Sequence, residues 1–132
     1  MMRPADAEKQ AEIFRMLSNA VRLRILAFLA GGEWTVGEIE QRLGLKQPAL
    51  SQQLAELRQS GLVATRRHAK SIYYKLADER AALLMAALTA VFGDGAARQA
   101  LAGALNLSMP ARTGRGTGEA AVFAKAGHHL HQ

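Results

Sequence analysis

The sequence predicts a mainly α domain carrying one small β-hairpin, with elements in the order α-α-α-α-β-β-α. Three observations carry that prediction. Apolar residues recur at helical spacing between stop and start signals as far as Gly61. Two short runs rich in β-branched and aromatic residues, Leu62 to Arg67 and Ser71 to Leu76, flank the basic turn His68-Ala69-Lys70. An Ala-, Leu- and Met-rich segment then runs from Asp78 to Phe92.

Each element has its own local signal. Ala5 to Leu17 reads as a helix with Ile13, Phe14 and Leu17 as its apolar stripe. Ser18-Asn19 offers an N-cap for a second helix, where Val21, Ile25, Phe28 and Leu29 share a face and Gly31-Gly32 ends the run. Thr35-Val36-Gly37-Glu38 has the spacing of a capping box, in which hydroxyl and carboxylate each satisfy an orphan amide. The short helix it opens closes at Gly44, and Leu45-Lys46-Gln47 is a connecting turn. Pro48 falls in the first turn of the next helix, where its missing N–H costs nothing. That helix runs to Gln59, with Leu50, Leu54 and Leu57 facing inward, and stops at Ser60-Gly61. Asp78 caps the long helix to Phe92; Gly93-Asp94-Gly95 breaks it, and Ala96 to Leu107 is expected to add one or two further turns. Two helices joined by a tight turn, the second polar-faced, followed by a cationic hairpin, make a winged helix-turn-helix.

Composition bounds the function. The 132 residues suit one small domain, 49% of them are hydrophobic, and the net charge of +6 favours a polyanionic partner. Residues 1–107 are expected to form the winged helix-turn-helix domain. From Ser108 the chain turns to Gly, Ala, Thr and Arg, so 108–132 is expected to be a largely disordered tail. There is no cysteine, which removes disulfides, thiolate metal sites and thiol redox chemistry. The N-terminus lacks the apolar stretch of a signal peptide and no apolar run is long enough to span a bilayer, so a cytoplasmic location is expected. No paired carboxylates and no glycine-rich phosphate loop after a strand assemble into a catalytic set, so no enzyme is expected.

The segment from Lys46 to Lys75 concentrates the chemistry, with six Lys or Arg residues, His68 and a single acid, Glu56. Gln47, Ser51 and Gln52 are the candidates for base and near-base contacts, because amides can bond adenine in bidentate fashion and a hydroxyl adapts to either edge. Gln53 is a further candidate on the same helix. Lys46 suits a phosphate; Arg66, Arg67 and Lys70 form the wing cluster, whose cations have no acid near them in sequence. The bland alternative is a solvated helix face and a solvated charge run. Trp34 is expected to plug the space between the second helix and the dimer helix that resemblance to a known family implies, with a small-molecule pocket as the alternative. His128, His129 and His131 could chelate a transition metal, but a tail with incidental affinity is the simpler reading, so neither a metal nor a cofactor is expected.

Three blocks, MLSNAVRLRIL, VGEIEQRLGL through QPALSQQLAELRQSGLV, and TRRHAKSIYYKL, together resemble the ArsR/SmtB family of small winged-helix repressors over residues 10 to 92. Within it the chain looks most like the branch that senses reactive sulfur or has no obvious metal site. The resemblance implies a homodimer on a pseudo-palindromic double-stranded operator, pairing through helices 5–17 and 78–92 and released by a signal. Gln53 stands where the family more often has histidine. The family's cysteine-containing metal motif is replaced by Glu33-Trp34-Thr35-Val36-Gly37-Glu38, and Asp78 to Phe92 holds no histidine. The thiol pair of the sulfur sensors has no counterpart either. The rival from another class is a winged-helix protein-interaction module with an incidental basic surface.

Overall fold

Local chemistry sets most helix ends in the computed structural model, which describes residues 1–108. Helix α1 spans Pro4–Leu17, with proline in its first turn. Arg3 bonds Asp6 at 2.8 and 3.0 Å, and Arg15 pairs with Glu12 one turn back. Helix α2, Ala20–Ala30, starts where the Asn19 side chain accepts from the Arg22 N–H at 3.1 Å. Strand β1 is the two-residue Trp34–Thr35, and α3 follows at Val36–Leu43. Thr35 and Glu38 form the capping box reciprocally, and Gly44 closes α3 in the left-handed region at φ 68°.

Helix α4 is Ala49–Gln59, although its hydrogen-bond ladder begins earlier. The Leu50 N–H reaches Lys46 O at 3.0 Å and the Gln52 N–H reaches Pro48 O at 3.1 Å, so Pro48 occupies the opening turn at the N-cap position. The far end is a Schellman motif: Leu62 N–H donates to Leu57 O and Gly61 N–H to Arg58 O, with Gly61 at φ 84°. Leu57 and Leu62 are both buried there.

Strands β2, Val63–His68, and β3, Ser71–Leu76, form the antiparallel hairpin, joined by Ala69-Lys70. The sheet has three strands in the order β1-β3-β2, one more than expected. Trp34 pairs with Tyr74 and Thr35 with Tyr73 on the free edge of β3. Two residues are too few for an alternating pattern, which is why the sequence hid this strand.

The chain divides into two units, residues 1–86 and, among the described residues, 87–108. The core of the first holds Ile25, Leu26, Ile39, Leu50, Leu54 and Leu57, the largest side chains almost wholly withdrawn from solvent. The three inward leucines of α4 are thus as expected. Met16 and Met85 are buried as gap-fillers. The stripe expected on α1 divides instead: Leu17 is buried, Ile13 is half-buried, and Phe14 is 59% exposed. Helix α5 spans Glu79–Phe92, with Asp78 accepting from the Ala81 N–H at 3.0 Å; its Leu83 is 62% exposed.

In the second unit Asp94 accepts from the Ala97 N–H at 2.9 Å and opens α6, Gly95–Ala104. This helix is longer than the turn or two expected, and Gly95 begins it rather than breaking the chain. Arg98 reaches back to Val91 O and Gly93 O at 3.0 and 2.9 Å, satisfying carbonyls that the end of α5 leaves over. The expected tail and its His128, His129 and His131 lie outside the described residues.

Candidate nucleic-acid interface

Burial of Leu50, Leu54 and Leu57 on one side of α4 leaves Ala49, Ser51, Gln52, Ala55 and Arg58 exposed on the other. That follows from helical periodicity alone. Its presentation depends on two arginines from α2, a helix that is otherwise apolar. Arg22 donates from Nε to Gln53 Oε1 at 2.8 Å and from Nη2 to Glu56 Oε1 at 2.7 Å. Its side chain is only 13% exposed, so this clamp is partly desolvated. Removing one partner of such a contact typically costs about 1–3 kcal/mol. Arg24 donates to Leu43 O at 2.8 Å and so caps the end of α3. Two arginines on different sides of α2 therefore reach both helices of the helix-turn-helix. The signal that could have revealed these residues is two cations, Arg22 and Arg24, inside the run AVRLRILAFLA.

The candidate residues on and before α4 do not form one uniform face. Gln47 Oε1 accepts from the Ser51 N–H at 3.3 Å and from the Ser51 hydroxyl, so its side chain caps the first turn. The Lys46 and Gln52 side chains are exposed, with no hydrogen bond or ion pair to the described residues. Gln53 is half-buried and turned toward α2.

On the wing, Arg66, Arg67, His68, Ala69 and Lys70 are all exposed. The expectation that its cations have no acid nearby is corrected by the fold. Glu33, just before β1, bonds Arg66 Nε at 2.7 Å, and the Arg66 guanidinium lies 5.2 Å from the Tyr73 ring centroid. Thr35, Tyr73 and Arg66 stand in one cross-strand row, and Glu33 is two residues before Thr35, so pairing of β1 brings acid and cation to one side. Arg67 and Lys70 carry no such partner among the described residues.

Trp34 lies against α2, one of the two helices expected to flank it. Its ring stacks on Phe28 of α2, with centroids 4.8 Å apart, and the Arg42 guanidinium of α3 lies 5.4 Å from its centroid. It joins α2, α3 and the sheet. Its Nε1 is buried without a hydrogen-bond partner among the described residues.

No group of three His, Cys, Asp or Glu suited to a metal ion comes together among the described residues. With no cysteine in the chain and no histidine on α3 or α5, the side chains at both family positions do not fit a metal.

Comparison with known proteins points the same way as the geometry. A family model described as a helix-turn-helix domain matches residues 17–66. The chain is 48% identical over 86 residues to the biofilm growth-associated repressor of Xylella fastidiosa, covering 65% of this chain and 75% of that protein. The solved structure of the transcriptional repressor BigR from Xylella fastidiosa superposes with a TM-score of 0.59 at 45% identity, over 70% of this chain and 99% of that one. The homodimeric winged helix-turn-helix DNA-binding domain Mb0332 from Mycobacterium bovis, described as a possible ArsR-family regulator, gives a TM-score of 0.63 at 34% identity, over 74% of this chain and 86% of that one.

Proposed function

Because the chain belongs to the ArsR/SmtB family of winged helix-turn-helix transcriptional regulators, we propose that it is a homodimeric repressor binding a specific double-stranded operator. The observation that carries this reading is the polar, exposed face of α4, locked to α2 by Arg22 and followed by a wing of exposed cations. Helix α4 enters the major groove with Gln47, Ser51, Gln52 and Gln53, while Lys46, Arg66, Arg67 and Lys70 meet flanking phosphates. Phosphate contacts set register and base contacts set sequence. Residues 1–107 do this work.

Dimerisation through α1 and α5 is supported by Phe14 and Leu83, large apolar side chains that stay exposed in a single copy. Two-fold symmetry then presents two α4 helices to a pseudo-palindromic site. Release requires a signal that distinguishes two dimer states by affinity. The protein works in the cytoplasm as a regulator and not as an enzyme; among the described residues no helix is long and apolar enough to cross a membrane.

The test is fluorescence anisotropy on the DNA upstream of its own gene, across a salt series and with non-specific competitor. Competitor-resistant binding that weakens steeply with salt, by about 0.9 log units per log unit for each phosphate contact, is expected. Binding that competitor removes completely would instead favour a protein-interaction module.

A further inference from the structure

Two of the amides that frame α4 have already committed their oxygens. A guanidinium carries only donors, so the Gln53 atom 2.8 Å from Arg22 Nε has to be the amide oxygen. Arg22 is held in turn by Glu56 at 2.7 Å and is largely withdrawn from water. The amide is planar, so fixing the oxygen fixes the NH2 on the opposite arm, and that NH2 has no bond to the described residues. Gln47 repeats the arrangement: its oxygen accepts from the Ser51 backbone, a group that can only donate, and from the Ser51 hydroxyl. Gln52, on the exposed face, has neither arm engaged by the described residues.

We propose that Gln53 is a donor-only specificity residue. Its NH2 gives a hydrogen bond to an acceptor on the operator, and Arg22 is the positioning residue that withholds its oxygen from base reading. The inference rests on α4 being the helix that enters the groove. Bidentate recognition of adenine needs a glutamine that accepts from N6 while donating to N7. The Gln53 oxygen keeps a second lone pair, but its anchor on Arg22 turns it toward α2 and away from the accepting role. Gln53 selects base-edge acceptors: a purine N7, a guanine O6 or a thymine O4. Of Gln47, Gln52 and Gln53, Gln52 alone has neither half engaged by the described residues and is free to turn both toward adenine.

The test measures operator affinity of the full chain as wild type, Gln53→Met and Gln53→His, each checked for folding by circular dichroism. Methionine keeps the length and removes the donor. A neutral imidazole can accept from Arg22 with one nitrogen and donate with the other, so it preserves the pattern. The duplexes delete one group at a time: 7-deazapurines remove N7, 2-aminopurine removes guanine O6, 5-methyl-2-pyrimidinone removes thymine O4, and methylphosphonate neutralises a phosphate. Purine in place of adenine removes the N6 donor.

Gln53→Met is expected to bind about fivefold more weakly, with that loss vanishing on the duplex that lacks the contacted acceptor. Gln53→His should keep the wild-type profile. Arg22→Met, which releases the oxygen, should gain a Gln53-dependent response to loss of adenine N6. Three results overturn the proposal while leaving DNA binding intact: Gln53→Met binding every duplex as wild type does, a Gln53→Met loss spread evenly over all duplexes, or a Gln53→Met loss that vanishes only when adenine N6 is deleted or a phosphate is neutralised. Wild-type protein that discriminates no duplex from competitor overturns both this proposal and the groove reading.

Discussion

Glu33 holds Arg66 across the sheet through a 2.7 Å ion pair, although 33 residues separate them along the chain. Both side chains are partly exposed, so the pair adds little to stability, on the order of 0–1 kcal/mol. Its consequence lies with the wing cation, which meets a carboxylate before it meets a phosphate. Glu33→Gln should therefore strengthen DNA binding about two- to fivefold at low salt and steepen the salt slope by up to about one phosphate equivalent. Anisotropy titrations at several salt concentrations check this. An unchanged affinity and slope would mean that Arg66 does not act on the backbone.

Ser51→Ala with Gln52→Ala removes a hydroxyl and the amide with neither arm engaged from the exposed face of α4, leaving its buried leucines in place. Operator binding should fall by about a hundredfold or more, since good base contacts are each worth about 1–3 kcal/mol. Folding and oligomeric state, read by circular dichroism and light scattering, should stay as in wild type. Full sequence-specific affinity in this variant would displace α4 from the groove.

Gly93 admits no side chain where it stands: an added Cβ would lie 2.5 Å from the Thr89 carbonyl oxygen. That neighbour is helix backbone and cannot turn aside. Gly93→Ala should destabilise the junction of α5 and α6 by about 1–3 kcal/mol. Thermal unfolding and amide exchange over residues 89–98 would register it. Faster exchange confined to that stretch is the expected outcome, and unchanged protection would show that the backbone relaxes at no cost.

On α1 the Arg15 guanidinium, by hydrogen bonding, holds the Glu12 carboxyl below its ordinary value of 4.5. A carboxylate whose folded value is depressed stabilises the helix above its unfolded value, and loses that contribution as pH falls through the folded one. The helix should weaken slightly below about pH 4.5, and Glu12→Gln should remove that part of the acid response. Carboxyl chemical shifts followed through an acid titration test it; a Glu12 midpoint at or above 4.5 would contradict the pairing.

Much of the fold could be read from sequence because helix ends are written in adjacent residues. Asn19, the Thr35–Glu38 box, Gly44, Ser60-Gly61 and Asp78 all mark boundaries that the structure keeps, since a cap is chemistry among neighbours. The inward leucines of α4 follow equally from period. The third strand was hidden because Trp34–Thr35 owes its extended state to β3 and not to any pattern of its own. For the candidate interface, the chemical types of Lys46, Gln47, Ser51, Gln52 and the wing cations were legible. Which of their atoms are already engaged was not.

By itself the sequence determined the order of elements, the polar character of one helix, the positive wing and the absence of any thiol. These follow from local propensity, periodicity and composition, which need no knowledge of the fold. Only the tertiary structure decided that Glu33 meets Arg66, that Arg22 takes the oxygen of Gln53, and that Trp34 stacks on Phe28. Those contacts join segments distant along the chain, and they depend on strand register and helix rotation. Both are set by the burial of Ile25, Leu54 and their neighbours as a group, so no single segment carries them.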